Sequence, residues 1–74
     1  MSAKINDLTA PIFWEAVRKR KENGERYGQA VFNTTAGLFP EEAGKLVGTD
    51  LDPFYNDSVV KHFLAAVADL LSSE

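Results

Sequence analysis

Apolar side chains recur at helical spacing in several segments of the chain, most clearly in the last one. There the spacing of three and four residues places the apolar side chains on one face of an α-helix. Asn56, Asp57 and Ser58 precede this segment, and each is a candidate for its N-cap. The predicted buried face consists of Val60, Phe63, Leu64, Val67, Leu70 and Leu71.

A second helix is predicted near the start of the chain, from a Thr9 N-cap to about Asn23. Pro11 lies in its first turn, where a missing N–H is harmless. Gly24 is the expected left-handed C-cap. Trp14 falls off the apolar stripe, either at its rim or against another element. The stripe itself consists of Ile12, Phe13, Ala16 and Val17.

Another helix is predicted from Arg26 to about Ala36, and Gly37 is its expected terminator. Gly28 lowers helix propensity by about 1 kcal/mol relative to alanine. A glycine one turn into a helix often permits close approach of another backbone. The inward face is predicted to hold Tyr27, Ala30, Val31 and Thr34.

A short helix is predicted from Pro40 to Val47, closed by Gly48. Glu41 and Glu42 suit the positive end of its dipole. No segment alternates convincingly with the period of two that a β-strand requires. The predicted fold class is therefore all-α, a compact bundle of about four short helices.

The length of 74 residues predicts one domain, residues 1–74, in which residues 1–8 show no periodicity and are expected to fray. Cysteine is absent, so neither disulfides nor thiolate metal sites are available. No apolar run approaches the roughly 20 residues that cross a bilayer, and no secretory signal is evident. We expect a soluble cytoplasmic protein with little room for a deep active-site cavity.

Charge is distributed unevenly along the chain, with +2 in residues 1–37 and −5 in residues 38–74. The basic run from Arg18 to Lys21, followed by Arg26, raises the alternative of nucleic-acid binding through the first helix. Consecutive helical residues point in different directions, however, so the run does not form one patch. Glu15, Glu22 and Glu25 stand at spacings suited to pairing with it.

Catalytic residues are not predicted. His62 is the single histidine, and Asp50 and Asp52 lack a pocket that would shift their pKa values. A calcium loop starting at Asp50 fails, because Phe54, Tyr55 and Lys61 occupy positions where ligands or glycine are required. The sequence thus predicts no catalytic site, no metal and no cofactor.

The segment from Gly48 to Asp57 combines three aspartates, a proline and two adjacent aromatic residues. It is too irregular for a helix or a strand. Neighbouring side chains in an extended loop point in opposite directions, so one aromatic side chain should anchor the loop while the other lies outward. Of the two arrangements, we expect Phe54 to face inward and Tyr55 to lie at the rim. Such a loop fixes the angle between helices, contacts a partner, or does both.

The helix start Arg26–Asn33 and the loop Gly48–Tyr55 together resemble small, largely uncharacterised proteins encoded in bacteriophage genomes. Those proteins share a Gly-Gln-Ala-x-Phe-Asn helix start and a Gly-Thr-x-x-Asp-Pro-Phe-Tyr loop, and the likeness covers roughly residues 13–64. The resemblance implies expression in the cytoplasm of an infected bacterium. Small phage proteins commonly bind a host or phage macromolecule.

These observations predict a non-enzymatic module that binds another protein, to inhibit or redirect it. An acidic mimic of nucleic acid is a variant of this hypothesis. Homodimerisation is a further alternative, since Trp14 and the Leu70–Leu71 pair could leave apolar surface uncovered. The predicted partner-binding residues are Arg26, Asp50, Asp52, Phe54, Tyr55 and Asp57.

Overall fold

The computed structural model describes residues 11–72, which form an all-α bundle of four short helices, as predicted. No strand occurs within this range. The predicted Thr9 cap and the fraying expected of residues 1–8 lie outside it. The helices are α1 (Pro11–Glu22), α2 (Tyr27–Leu38), α3 (Pro40–Leu46) and α4 (Val60–Ser72), with a 3₁₀ helix, η1 (Asp57–Val59), leading into α4.

Helix α2 occupies the middle of the bundle, in contact with α1, α3 and η1, while α3 packs on α4. The apolar faces meet in one core, in which Phe13, Val31 and Phe63 are among the largest fully buried side chains. Burying a side chain of this size stabilises the fold by about 1.5–3 kcal/mol. The full set of buried apolar residues is Phe13, Val17, Ala30, Val31, Phe39, Ala43, Val60, Phe63, Val67 and Leu71.

The predicted stripe of α1 is only partly correct. Phe13 and Val17 are buried, but Ala16 is half-buried and Ile12 is 78% exposed. The buried face is thus centred on residues 13 and 17, and Ile12 lies about 100° away from Phe13 around the helix. Trp14 lies on the other flank, half-buried, with its ring edge-on to Phe13 at a centroid distance of 4.9 Å.

Two turns follow the prediction, since Gly24 and Gly48 have φ angles of 102° and 77°. The prediction that Gly37 terminates its helix is wrong. Its φ is not positive, and α2 continues through Leu38. The break falls at the buried Phe39, whose N–H donates to Thr35 O at 2.7 Å while its carbonyl accepts from Ala43 N at 3.0 Å. One residue therefore joins α2 to α3.

Helix α3 ends at Leu46, one residue before the predicted Val47, which is 55% exposed. Glu41 lies exposed in its first turn as expected of a residue at the positive end of the dipole. Glu42 is only 7% exposed, a burial that the sequence pattern did not indicate.

Of the three candidates for the N-cap before the last helix, Asn56 forms the capping hydrogen bond, at the start of η1. Its side-chain oxygen accepts from Ser58 N at 3.0 Å and from the Ser58 hydroxyl at 2.6 Å. None of the helices described between residues 11 and 72 has the length and apolarity needed to cross a membrane.

Candidate functional site

The segment from Gly48 to Asp57 docks on the first turn of α2. The contact depends on Gly28, because a Cβ at this position would overlap the Pro53 carbonyl oxygen and lie 2.8 Å from Asp57 Oδ1. The Pro53 side chain is itself fully buried. Gly28 is thus the place of close backbone approach that the sequence predicted, and its partner is the loop.

Asp57 supplies a cap to α2 from a distant part of the chain. Its Oδ1 accepts from Gly28 N at 2.8 Å, whereas the residue at the N-cap position, Arg26, makes no side-chain cap hydrogen bond. First-turn N–H groups lack helical acceptors, and a carboxylate there also faces the positive end of the helix dipole. One side chain therefore links the start of α2 to the element that leads into α4.

The Asp52 side chain stabilises the loop by accepting hydrogen bonds from two backbone N–H groups of the same loop. Its Oδ2 accepts from Gly48 N at 2.8 Å and its Oδ1 accepts from Phe54 N at 2.9 Å. Two further turns complete the loop, with Asp52 N donating to Thr49 O at 3.1 Å and Asn56 N donating to Pro53 O at 3.0 Å. These bonds fix the backbone on both sides of Pro53.

The two aromatic residues of the loop point differently, as the alternation of side chains predicted. Phe54 is half-buried, with its ring edge-on to Phe32 at 6.1 Å, and Phe32 lies 5.6 Å from the fully buried Phe63. Tyr55 is 80% exposed and meets the Phe54 ring at 4.8 Å. The exposed Tyr55 is therefore the outer member of a row of aromatic rings that reaches the core.

The six predicted partner-binding residues fall into two groups. Asp52, Phe54 and Asp57 have structural roles inside the loop or against α2. Arg26, Asp50 and Tyr55 are exposed, and no side-chain hydrogen bond or ion pair engages them within residues 11–72. The exposed group is the part of the predicted surface that is available to a partner.

Two of the four residues of the basic run on α1, Arg18 and Arg20, are paired with neighbouring acids. Arg18 pairs with both Glu15 and Glu22, and Arg20 pairs with Glu25 at 3.2 Å. Because Arg18 donates to it, the pKa of the Glu15 carboxyl is below its ordinary value. Glu25 also accepts from Asn33 Nδ2 at 3.0 Å, so this pairing connects α1 to α2.

The remaining candidates for chemistry do not converge. His62 lies exposed on α4, and Asp50 is exposed while Asp52 is occupied by backbone N–H groups. Between residues 11 and 72, no three histidine or acidic side chains are grouped so as to hold a metal ion. Of the residues on which the dimer hypothesis depends, Leu71 is buried, whereas Trp14 and Leu70 are half-buried.

Sequence reasoning placed Thr34 on the inward face of α2 but did not anticipate that its buried hydroxyl lacks a hydrogen-bond partner among residues 11–72. Thr34 is 7% exposed, and its Oγ1 has no hydrogen-bond partner in the described part of the chain. The next residue, Thr35, is also buried but donates to Val31 O at 2.8 Å. The spacing of apolar residues does not indicate which of two adjacent buried threonine hydroxyls forms a hydrogen bond.

Comparison of the chain with protein-family models, curated proteins and solved structures gives no match. Inference about function therefore depends on the residues and contacts described above.

Proposed function

We propose that this protein is a non-enzymatic module that binds another protein through the loop around Tyr55. On the sequence resemblance, we further propose that it is phage-encoded and modulates a host or phage protein in the host cytoplasm. The observation that carries the proposal is Tyr55, 80% exposed on a loop whose backbone is fixed by Asp52 and by Pro53 packing on Gly28.

An exposed aromatic side chain on a fixed backbone is well suited to anchoring an interface. Tyrosine provides a large contact area with a polar tip, and it is enriched among the residues that dominate binding energy. Because the loop is held by its own hydrogen bonds, little conformational entropy is lost when it meets a partner. Asp50 and Arg26 are exposed and supply charges of opposite sign for selectivity.

The experiment compares capture of proteins from bacterial lysate by the wild type, Tyr55→Ser and Ile12→Ser. Ile12 is a matched control, since it is 78% exposed and lies on α1. We expect a specific protein to be retained by the wild type and Ile12→Ser and lost by Tyr55→Ser. With the purified partner, the loss in affinity should be roughly 30-fold if Tyr55 is a dominant contact.

Equal retention by wild type and Tyr55→Ser contradicts the proposal. Retention of nucleic acid instead, with affinity that falls steeply with salt and disappears when Arg18, Lys21 and Arg26 are changed to glutamine, supports the alternative function. Asp52 is unsuitable for this comparison, because its replacement removes two loop hydrogen bonds and confuses folding with binding.

A further inference from the structure

A groove lies beside α1, next to the turn that leads into α2, and none of the predicted partner-binding residues lines it. Its volume is about 440 Å³, within the range of sites that enclose small ligands. The lining residues are Trp14, Val17, Arg18, Lys21, Glu22 and Tyr27.

The inner wall of the groove is apolar and aromatic. Val17 is buried at its base, while Trp14 and Tyr27 are each half-buried. The exposed parts of these two rings offer a surface for a large apolar side chain. Trp14 is edge-on to the buried Phe13, so its position is set by the core.

Of the two cations that line the groove, Arg18 and Lys21, only Lys21 has no carboxylate partner among residues 11–72. Arg18 is compensated by Glu15 and Glu22, but Lys21 forms no ion pair within residues 11–72. Its Nζ instead lies 5.4 Å from the centre of the Tyr27 ring. A ligand that places a carboxylate at this ammonium would complement the charge of the groove.

We propose that this groove binds a segment of a protein partner in which a large apolar side chain is adjacent to a single carboxylate. The apolar side chain packs against Trp14 and Tyr27, and the carboxylate pairs with Lys21. A nucleic-acid strand fits less well, because Glu22 lies on the rim and the chain carries a net charge of −3. The proposal does not rest on the function assigned to the Tyr55 loop.

Trp14 allows a direct test, since it is the single tryptophan of the chain. The probes are the peptides acetyl-Gly-Leu-Asp-Gly-amide and acetyl-Gly-Leu-Asn-Gly-amide, which differ only in the charge of one side chain. We expect saturable changes in Trp14 emission with both, and about two- to five-fold tighter binding of the aspartate peptide, the range for a partly exposed ion pair.

The preference should disappear in Lys21→Gln and at high salt. It should persist in Lys19→Gln, a matched control in which an exposed lysine outside the groove lining loses its charge. Three results would overturn the proposal: no response of Trp14 to either peptide, equal affinity of the wild type for both, or a preference that Lys21→Gln retains. Tighter, steeply salt-dependent binding of a single-stranded oligonucleotide would also overturn it in favour of a nucleic-acid site. The Tyr55→Ser variant should bind both peptides like the wild type.

Discussion

The Asp57 carboxylate caps α2 by accepting a hydrogen bond from Gly28 N, a residue 29 positions earlier in the chain, with Gly28 N and Asp57 Oδ1 2.8 Å apart. The same contact brings the Pro53 carbonyl over the α-carbon of Gly28. Capping and close packing thus coincide at one joint between α2 and the loop before α4. The Asp57 carboxylate and the close packing at Gly28 can each be disrupted by a separate substitution.

Replacement of Asp57 by alanine should destabilise the fold by about 1 kcal/mol, the usual effect of removing a helix cap. Asp57→Asn keeps an oxygen acceptor and should lose less. Chemical denaturation of both variants measures the difference. Asp50→Ala is the control, since Asp50 is exposed and its change should stay within about 0.5 kcal/mol. Equal effects of Asp57→Ala and Asp50→Ala would contradict the capping role.

Two glycines of α2 should respond to alanine in opposite directions. Gly28→Ala places a methyl group into the Pro53 carbonyl and should cost about 1–3 kcal/mol. The φ of Gly37 is not positive, and a Cβ there would meet nothing within 4 Å among residues 11–72 apart from its chain neighbours and the backbone of its own helix. Gly37→Ala should therefore stabilise by about 0.4–1 kcal/mol, through the entropy of the unfolded chain. Thermal unfolding of the two variants tests both predictions, and a Gly28→Ala variant as stable as the wild type would refute the account of the joint.

The two buried threonines provide another matched pair. Thr34→Val removes a buried hydroxyl without a partner in the described part of the chain, and it should stabilise by about 1 kcal/mol because an unpaired buried hydroxyl costs about 1–3 kcal/mol. Thr35→Val removes a donor to Val31 O and should destabilise by about 0.5–1.5 kcal/mol. Denaturant midpoints measured side by side test the pair. If Thr34→Val is the more damaging change, the hydroxyl of Thr34 has a partner after all.

The ion pair between Glu15 and Arg18 should give a small acid-sensitive contribution to stability. The folded pKa of Glu15 is lowered, chiefly by the hydrogen bond from Arg18. The contribution is therefore fully present above the unfolded pKa of about 4.3 and is lost as the pH falls through the folded pKa. The free energy of unfolding of wild type and Glu15→Gln should differ at neutral pH and converge in acid. A difference that is constant with pH would assign it to another cause.

Local patterns predicted much of this fold. Spacing of apolar residues indicated three of the four helices, and Pro40 with the acidic first turn indicated the short α3. Gly24 and Gly48 marked turns because their backbone conformation suits glycine. The prediction that Gly37 ends the helix was wrong because glycine is also tolerated inside a helix where no neighbouring residue packs against its side-chain position. Asp57 was predicted only as a local cap or a partner contact. Its actual acceptor role at Gly28 depends on tertiary packing between segments that sequence spacing does not relate.

The surface was harder to predict than the core. Alternation along the loop predicted that Phe54 and Tyr55 point in opposite directions, and the choice of Tyr55 as the outer residue was correct. The pairing of Arg18 with two glutamates could be anticipated from helical spacing. The groove beside Trp14 could not be predicted from the sequence. It forms because the turn after α1 reverses the direction of the chain and places Tyr27 next to α1.

The capping of α2 by Asp57 also affects hydrogen exchange at the Gly28 amide. Amide hydrogens in the first turn of a helix ordinarily exchange quickly with deuterium, since no carbonyl of the helix accepts them. The Gly28 amide is buried and held by Asp57, so its exchange requires the loop to detach. Its deuteration rate therefore reports the opening of the contact between α2 and the segment that carries Tyr55.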